Sequence, residues 1–106
     1  MPKYLISASY SAEGLRGLQR DKASGRRTAV TAAIEGLGGK VEGFYNALGA
    51  DDAYVIADLP DNSTAAALGI AVSAAGLVRT RTTALLTVEE TDRALEKTVN
   101  YRAPGR

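Results

Sequence analysis

Gly49-Ala50-Asp51-Asp52-Ala53-Tyr54-Val55-Ile56-Ala57-Asp58-Leu59-Pro60-Asp61 decides the fold of this 106-residue chain. Paired acids open the stretch, an apolar run rich in Val, Ile and Tyr fills it, and Pro-Asp closes it. Such side chains favour a pleated, half-buried backbone. Pro60 then removes the next N–H that a sheet would use. The stretch predicts a strand over 52–59, with a helix starting immediately after it.

Upstream, Lys40 to Leu48 predicts a partner strand. Strict alternation puts Val41, Gly43 and Tyr45 on one face and Glu42, Phe44 and Asn46 on the other. Gly49 to Asp51 supplies a tight turn, so the two strands form a hairpin. Before them, Ser11 to Gly39 is helical in two parts. Ser11 caps a first segment, and Ser24 caps a second whose stripe is Val30, Ala33, Ile34 and Leu37. Gly38-Gly39 stops it. Lys3 to Tyr10 is a first strand, with Tyr4, Ile6, Ala8 and Tyr10 on one face and Leu5, Ser7 and Ser9 on the other.

Downstream, Asp61, Asn62 or Ser63 caps a helix that runs to about Ala75 and stops at Gly76. No charged residue lies between Asn62 and Val78. An ordinary surface helix has a charged back, so the outer face of this one is expected to be covered, by a Val88–Thr98 helix or by a neighbouring subunit. Leu77 to Thr87 is a fourth strand. Thr87-Val88-Glu89-Glu90 has capping-box spacing and opens the short 88–98 helix; Tyr101 to Arg106 is a tail.

The order β-α-β-β-α-β predicts an α+β, ferredoxin-like domain over residues 1–88, followed by a C-terminal helix and tail over 89–106. Its single four-stranded antiparallel sheet carries both helices on one face. The other face also bears apolar residues. Two copies that pair their sheets across a dimer axis would bury them.

Composition narrows the chemistry. Net charge is +1, which gives no general attraction to nucleic acid or an anionic membrane. The chain has neither cysteine nor histidine. Thiolate catalysis, disulfides, zinc fingers, His-based acid–base work and most transition-metal sites are therefore excluded. No EF-hand or dinucleotide fingerprint is present, so the expectation is no metal and no cofactor. The start of the chain lacks an apolar signal core and no stretch is long enough to span a bilayer, which predicts a cytoplasmic protein.

Gly38-Gly39-Lys40, Gly43-Phe44-Tyr45, Gly49, Asp52, Pro60-Asp61, Gly76, Val78-Arg79-Thr80, Thr82 and Glu89-Glu90 occur together in an order that resembles the GYD-domain family. The resemblance runs from Tyr4 to about Glu90. It implies a dimeric α+β barrel of ferredoxin-like protomers and no particular activity, since the wider barrel group includes monooxygenases, peroxidases and ligand-sensing modules. The triplet that names the family falls on Ala50-Asp51-Asp52. Only its Asp is kept, so the family's tyrosine has no counterpart at that position.

Seven residues are candidates to line a ligand site in such a barrel: Tyr10, Tyr45, Asp52, Tyr54, Asp58, Arg79 and Arg81. Tyr4 falls on a strand as well and joins the other tyrosines as a cavity or dimer-core residue. Asp52 and Asp58 share a face but lie roughly 20 Å apart, too far for a glycosidase-type pair. Either one at a barrel mouth would serve as a base. The plainer reading is that Asp52 ends the turn and Asp58 pairs with an arginine. Arg79 and Arg81 are spaced to grip a carboxylate or phosphate, or to pair with acids of the same sheet. Arg16, Arg20, Lys22, Arg26 and Arg27 form a candidate small-anion or nucleic-acid patch, but no aromatic residue interleaves them and a solvated helix face is the better reading. Two functions follow. One is a binding or assembly module, homodimeric or larger, for a small apolar or aromatic ligand. The other is a cofactor-free barrel enzyme, monooxygenase- or isomerase-like, using Tyr and Asp for proton transfer.

Overall fold

Three connections in the chain join strand to helix to strand, or strand directly to strand, and the computed structural model, which describes residues 1–106, shows how they fold. The elements are β1 (Lys3–Tyr10), α1 (Ala12–Gly36), β2 (Lys40–Asn46), β3 (Ala53–Asp58), α2 (Asn62–Ala74), β4 (Val78–Leu85) and α3 (Val88–Leu95). The class is α+β. The strands form one sheet in the order β2-β3-β1-β4, and all three pairings are antiparallel.

The caps follow the side chains. Ser11 accepts from the Gly14 N–H, Asp61 from the Thr64 N–H, and Thr87 from the Glu90 N–H. Gly38 and Gly76 end α1 and α2 at φ of +82°, a conformation that glycine adopts without penalty. Gly14 is required for a different reason. A Cβ there would lie 2.1 Å from the Leu77 carbonyl oxygen, where β4 begins. The Ser11 N–H also donates to that carbonyl, at 2.9 Å.

Register assigns the two faces. Tyr4 sits opposite Ala57, and Ile6 opposite Val55. With Leu59, Ile34 from α1 and Ala65 from α2 they form the core; Val30, Val41, Phe44 and Leu68 pack around it. Leu5 sits opposite Ile56 and Ser7 opposite Tyr54, on the face that no helix covers.

Five expectations need correction. First, β2 is not strictly alternating. Its register slips between Val41 and Gly43: Val41 pairs with Ala57 and Gly43 with Ile56. This bulge at Glu42 puts Val41 on the core side with Phe44, rather than beside Tyr45. Second, α1 breaks at Lys22 (φ 64°, ψ 166°), not at Ser24. Third, the β2–β3 connection is a six-residue loop rather than a tight turn, closed by the Ala47 N–H on the Asp52 carbonyl at 2.8 Å. Fourth, α3 ends at Leu95, and every residue in it is exposed. Fifth, α3 consequently leaves the outer face of α2 uncovered, and Ile70 there is 68 % exposed.

The C-terminal segment thus stands off the body. The Cα radius of gyration is 16.8 Å, against about 13 Å for a compact chain of this length. The accessible surface is 7480 Å², where a compact monomer of 11.1 kDa exposes about 5,700 Å². The C-terminal arm contributes to it, since every residue of α3 is exposed. No helix is long and apolar enough to cross a membrane.

Candidate functional site

Two places in the molecule bring chemistry-bearing side chains together, one on each side of the sheet. On the bare face, the rungs of the ladder set the arrangement. Leu5 and Ile56 lie side by side, and Tyr54 and Tyr45 follow on the next rung. Polar groups close both ends of this apolar strip. At one end Lys3 Nζ donates to Asp58 Oδ1 at 2.8 Å and also pairs with Glu42. These two partners raise the Lys3 pKa, the Asp58 hydrogen bond contributing most.

At the other end Asp51 collects three donors. The Ser9 hydroxyl donates at 3.0 Å, the Tyr54 hydroxyl at 3.2 Å, and the Arg81 guanidinium completes the set. Asp51 is only 6 % exposed although it lies in a loop. Burial alone pushes its carboxyl up. The Ser9 hydrogen bond, the Arg81 charge and the Tyr54 hydrogen bond outweigh that push, and the pKa ends below its ordinary value. A carboxylate held ionised and fully partnered this way is a poor base and a good structural lock.

The second place lies between the helices and the sheet. A cavity of about 140 Å³ is lined by sixteen residues, twelve of them hydrophobic, among them Ile6, Val30, Phe44, Val55, Leu68 and Val72. The other four are Arg26, Gly69, Thr80 and Thr82, and no carboxylate is among the sixteen. Gly69 of α2 makes room for it: a Cβ there would already touch the Thr80 hydroxyl oxygen at 3.5 Å and stand 3.8 Å from that of Thr82. A larger depression, of about 290 Å³, continues outward past Tyr10, Arg26, Val72 and Val78 to Asp21 and Leu18.

Arg26 stands out among the lining groups. Its Nε is closed off from solvent and has no hydrogen-bond partner. The three ion pairs of the chain involve Lys3 and Arg81, not Arg26.

The seven candidates do not converge. Tyr45, Tyr54, Asp58, Arg79 and Arg81 belong to the bare face, where Tyr45 is 66 % exposed. Tyr10 belongs to the opposite face and lines the cavity. Asp52 precedes β3 and its carboxylate accepts the Tyr10 backbone N–H at 2.8 Å, so it ties loop to sheet. Asp58 pairs with a lysine rather than an arginine. Tyr4 is 2 % exposed, and its hydroxyl donates to Asn62 Oδ1 at 2.6 Å. It is a core residue that also fastens the start of α2.

Asp51 and Ser9 escaped the sequence reading, and the expectation that Arg26 lies on a solvated helix face is corrected: it is half-buried at the cavity. Asp51 sits in an irregular loop, where no period points to a partner. Arg26 had a signal: it lies four residues before Val30 and so falls on the apolar stripe, not on the solvated side with Arg20 and Arg27. No three carboxylates gather anywhere in the chain. The family model described as GYD domain matches residues 4–95. No curated protein and no solved structure matches the chain.

Proposed function

The chain belongs to the GYD-domain family, and from that premise we propose that it is a homodimeric small-molecule-binding protein whose protomer is ferredoxin-like. The observation that carries the binding reading is the cavity of about 140 Å³ between the helices and the sheet. Protein interiors are packed to crystal density and hold few such voids, so one this size, apolar and reaching the surface, is suited to a guest. Nothing in the reading calls for a metal or a redox cofactor.

The strand order β2-β3-β1-β4 with two βα crossovers supports the ferredoxin-like description. The bare face supports dimerisation. Its apolar centre and charged ends have the layout of a protein interface. The surface excess of roughly 1,800 Å² is of the size that one partner of a tight homodimer buries. Pairing two such faces gives the α+β barrel. The arm of residues 89–106 offers a second contact. Val88, Leu95, Val99 and Tyr101 are each at least 71 % exposed, and an isolated helix of eight residues is marginal in water. Contact of a neighbouring subunit with the arm and the back of α2, beyond the sheet pairing, makes a higher oligomer.

A cofactor-free enzyme using Tyr and Asp would need a free carboxylate in the cavity, and its lining holds none: Asp52 is engaged with the Tyr10 backbone N–H, and Asp51 and Asp58 are bound in ion pairs away from it. Binding is therefore the better reading. The test is a titration of the protein, labelled with nitrogen-15, with benzene followed by amide NMR. Shifts confined to Val30, Ala33 and Gly69 support the reading. No shift there, with Gly69→Leu equally silent and equally stable, refutes it.

A further inference from the structure

Arg26 places a cation against an otherwise apolar cavity and leaves part of it unsatisfied. We propose that the cavity accepts a small carboxylic acid, with the acid's apolar body inside and its carboxylate on the Arg26 guanidinium; this rests on the binding reading above and specifies its ligand class. Three observations lead there.

The first is the orphaned donor. Arg26 Nε is shut away from solvent with no partner. A buried N–H left unpaired is costly. Arginine's rigid fork is shaped to meet two oxygens of one carboxylate. Nε–H is closed to water, so a guest meets this fork through its terminal N–H groups and reaches Nε–H only when the side chain turns toward the cavity.

The second is charge. The cavity holds no acid of the chain to neutralise Arg26. Asp21, the nearest acid by position, lines only the outer depression and makes no ion pair with it. An anionic guest supplies the missing charge in a setting where water screens it weakly.

The third is size. An apolar cavity of about 150 Å³ holds one benzene-sized molecule, and this one measures about 140 Å³. One ring or a short branched chain fills it, and the adjoining depression of about 290 Å³ past Tyr10 and Arg26 leaves room on the outer side. Thr80 and Thr82 line the β4 wall, and Tyr10 stands with Arg26 where the cavity meets the outer depression. The carboxylate therefore stays toward the opening and the ring goes inward.

The kink at Lys22 contributes to the geometry. It lies one turn before Arg26 and reorients the second part of α1, so that Arg26 shares the inward stripe with Val30 and Ala33.

The experiment compares benzoate with benzyl alcohol, its neutral analogue of similar shape, by calorimetry and amide NMR on the full chain. Benzoate is expected to bind about tenfold tighter or more, as a charge-assisted pair contributes over a neutral contact. Arg26→Met should bring benzoate down to the benzyl alcohol level while melting no lower than the wild type, because it removes the orphaned Nε. Arg26→Lys should keep part of the preference, without the two-pronged geometry. Equal affinity for the two probes in the wild type overturns the carboxylate assignment and leaves the apolar cavity reading standing. So does an Arg26→Met variant that binds benzoate undiminished. If neither probe moves Val30, Ala33 or Gly69, both readings fall together.

Discussion

The two faces of the sheet are built from the same four strands, one residue apart, and they do different things. The covered face is closed by hydrophobic contact: Tyr4, Ile6, Val55 and Ala57 meet Ile34 and Ala65. The bare face is organised by charge: Lys3 with Asp58 and Glu42 at one end, Arg81 with Asp51 at the other, and Leu5, Ile56 and Tyr54 between them. A side chain's role here depends on the parity of its position. Odd positions of β1 lie on the face that no helix covers, even ones meet helices already in place.

Truncating one isoleucine on each side separates the two faces most clearly. Ile34 is fully buried. Ile34→Ala should lower unfolding free energy by about 2–5 kcal/mol in urea melts, independent of protein concentration. If the bare face pairs two copies as proposed, Ile56→Ala should cost less, and its cost should vary with protein concentration. If Ile56→Ala is concentration-independent, the bare face is not an interface.

Next in size is assembly itself. The wild type should scatter light as a dimer at micromolar concentration, and the pair Leu5→Glu with Ile56→Glu should give a folded monomer. Placing four like charges across a two-fold axis is the reason. A wild type that is already a compact monomer defeats the sheet-pairing reading and leaves the cavity untouched.

The polar end of the bare face is tested by pH. The folded pKa of Asp51 lies below the ordinary carboxylate value of 3.8. Its contribution to stability is therefore present above that value and lost as pH falls through the lower folded one. Asp61 and Glu90, held down by hydrogen bonds from Thr64 and Thr87, act in the same direction. Asp51→Asn should flatten the acid limb of the stability curve and leave neutral-pH cavity binding intact. Lys3 runs the opposite way. Its raised pKa adds stability that is complete below 10.5 and disappears as pH climbs through the folded value.

The smallest effect concerns the backbone. Lys22 sits at φ 64°, ψ 166°, a region that only glycine enters without strain. Lys22→Gly should stabilise the chain by about 1 kcal/mol in thermal melts. A loss instead would mean that the Lys22 side chain contributes more than its strain.

Much of the covered face was legible from the residues. Strand alternation, the Ser11, Asp61 and Thr87 caps and the glycine stops are local effects, each decided within four residues of chain. The Thr87–Glu90 capping box formed as its spacing requires. What escaped depends on contacts between distant segments. Asp51 acquires its role only because folding brings in Ser9 and Arg81. The cavity exists only because two helices, remote in sequence, settle on the sheet without meeting across it. The exposure of α3 shows the limit from the other side. Its local signals specify a helix and carry no information about what it packs against.

The bulge in β2 has a consequence for chain length. Residues on both sides of Glu42 pair with β3 as though it were absent: Val41 meets Ala57 and Gly43 meets Ile56, consecutive residues on consecutive rungs. A chain lacking position 42 would close the same ladder without displacing anything else; it would lose only the second carboxylate on Lys3. At this one point of the hairpin the numbering can slip by a residue and the architecture does not register it, so an insertion or deletion that would be ruinous one rung away becomes a change of surface charge.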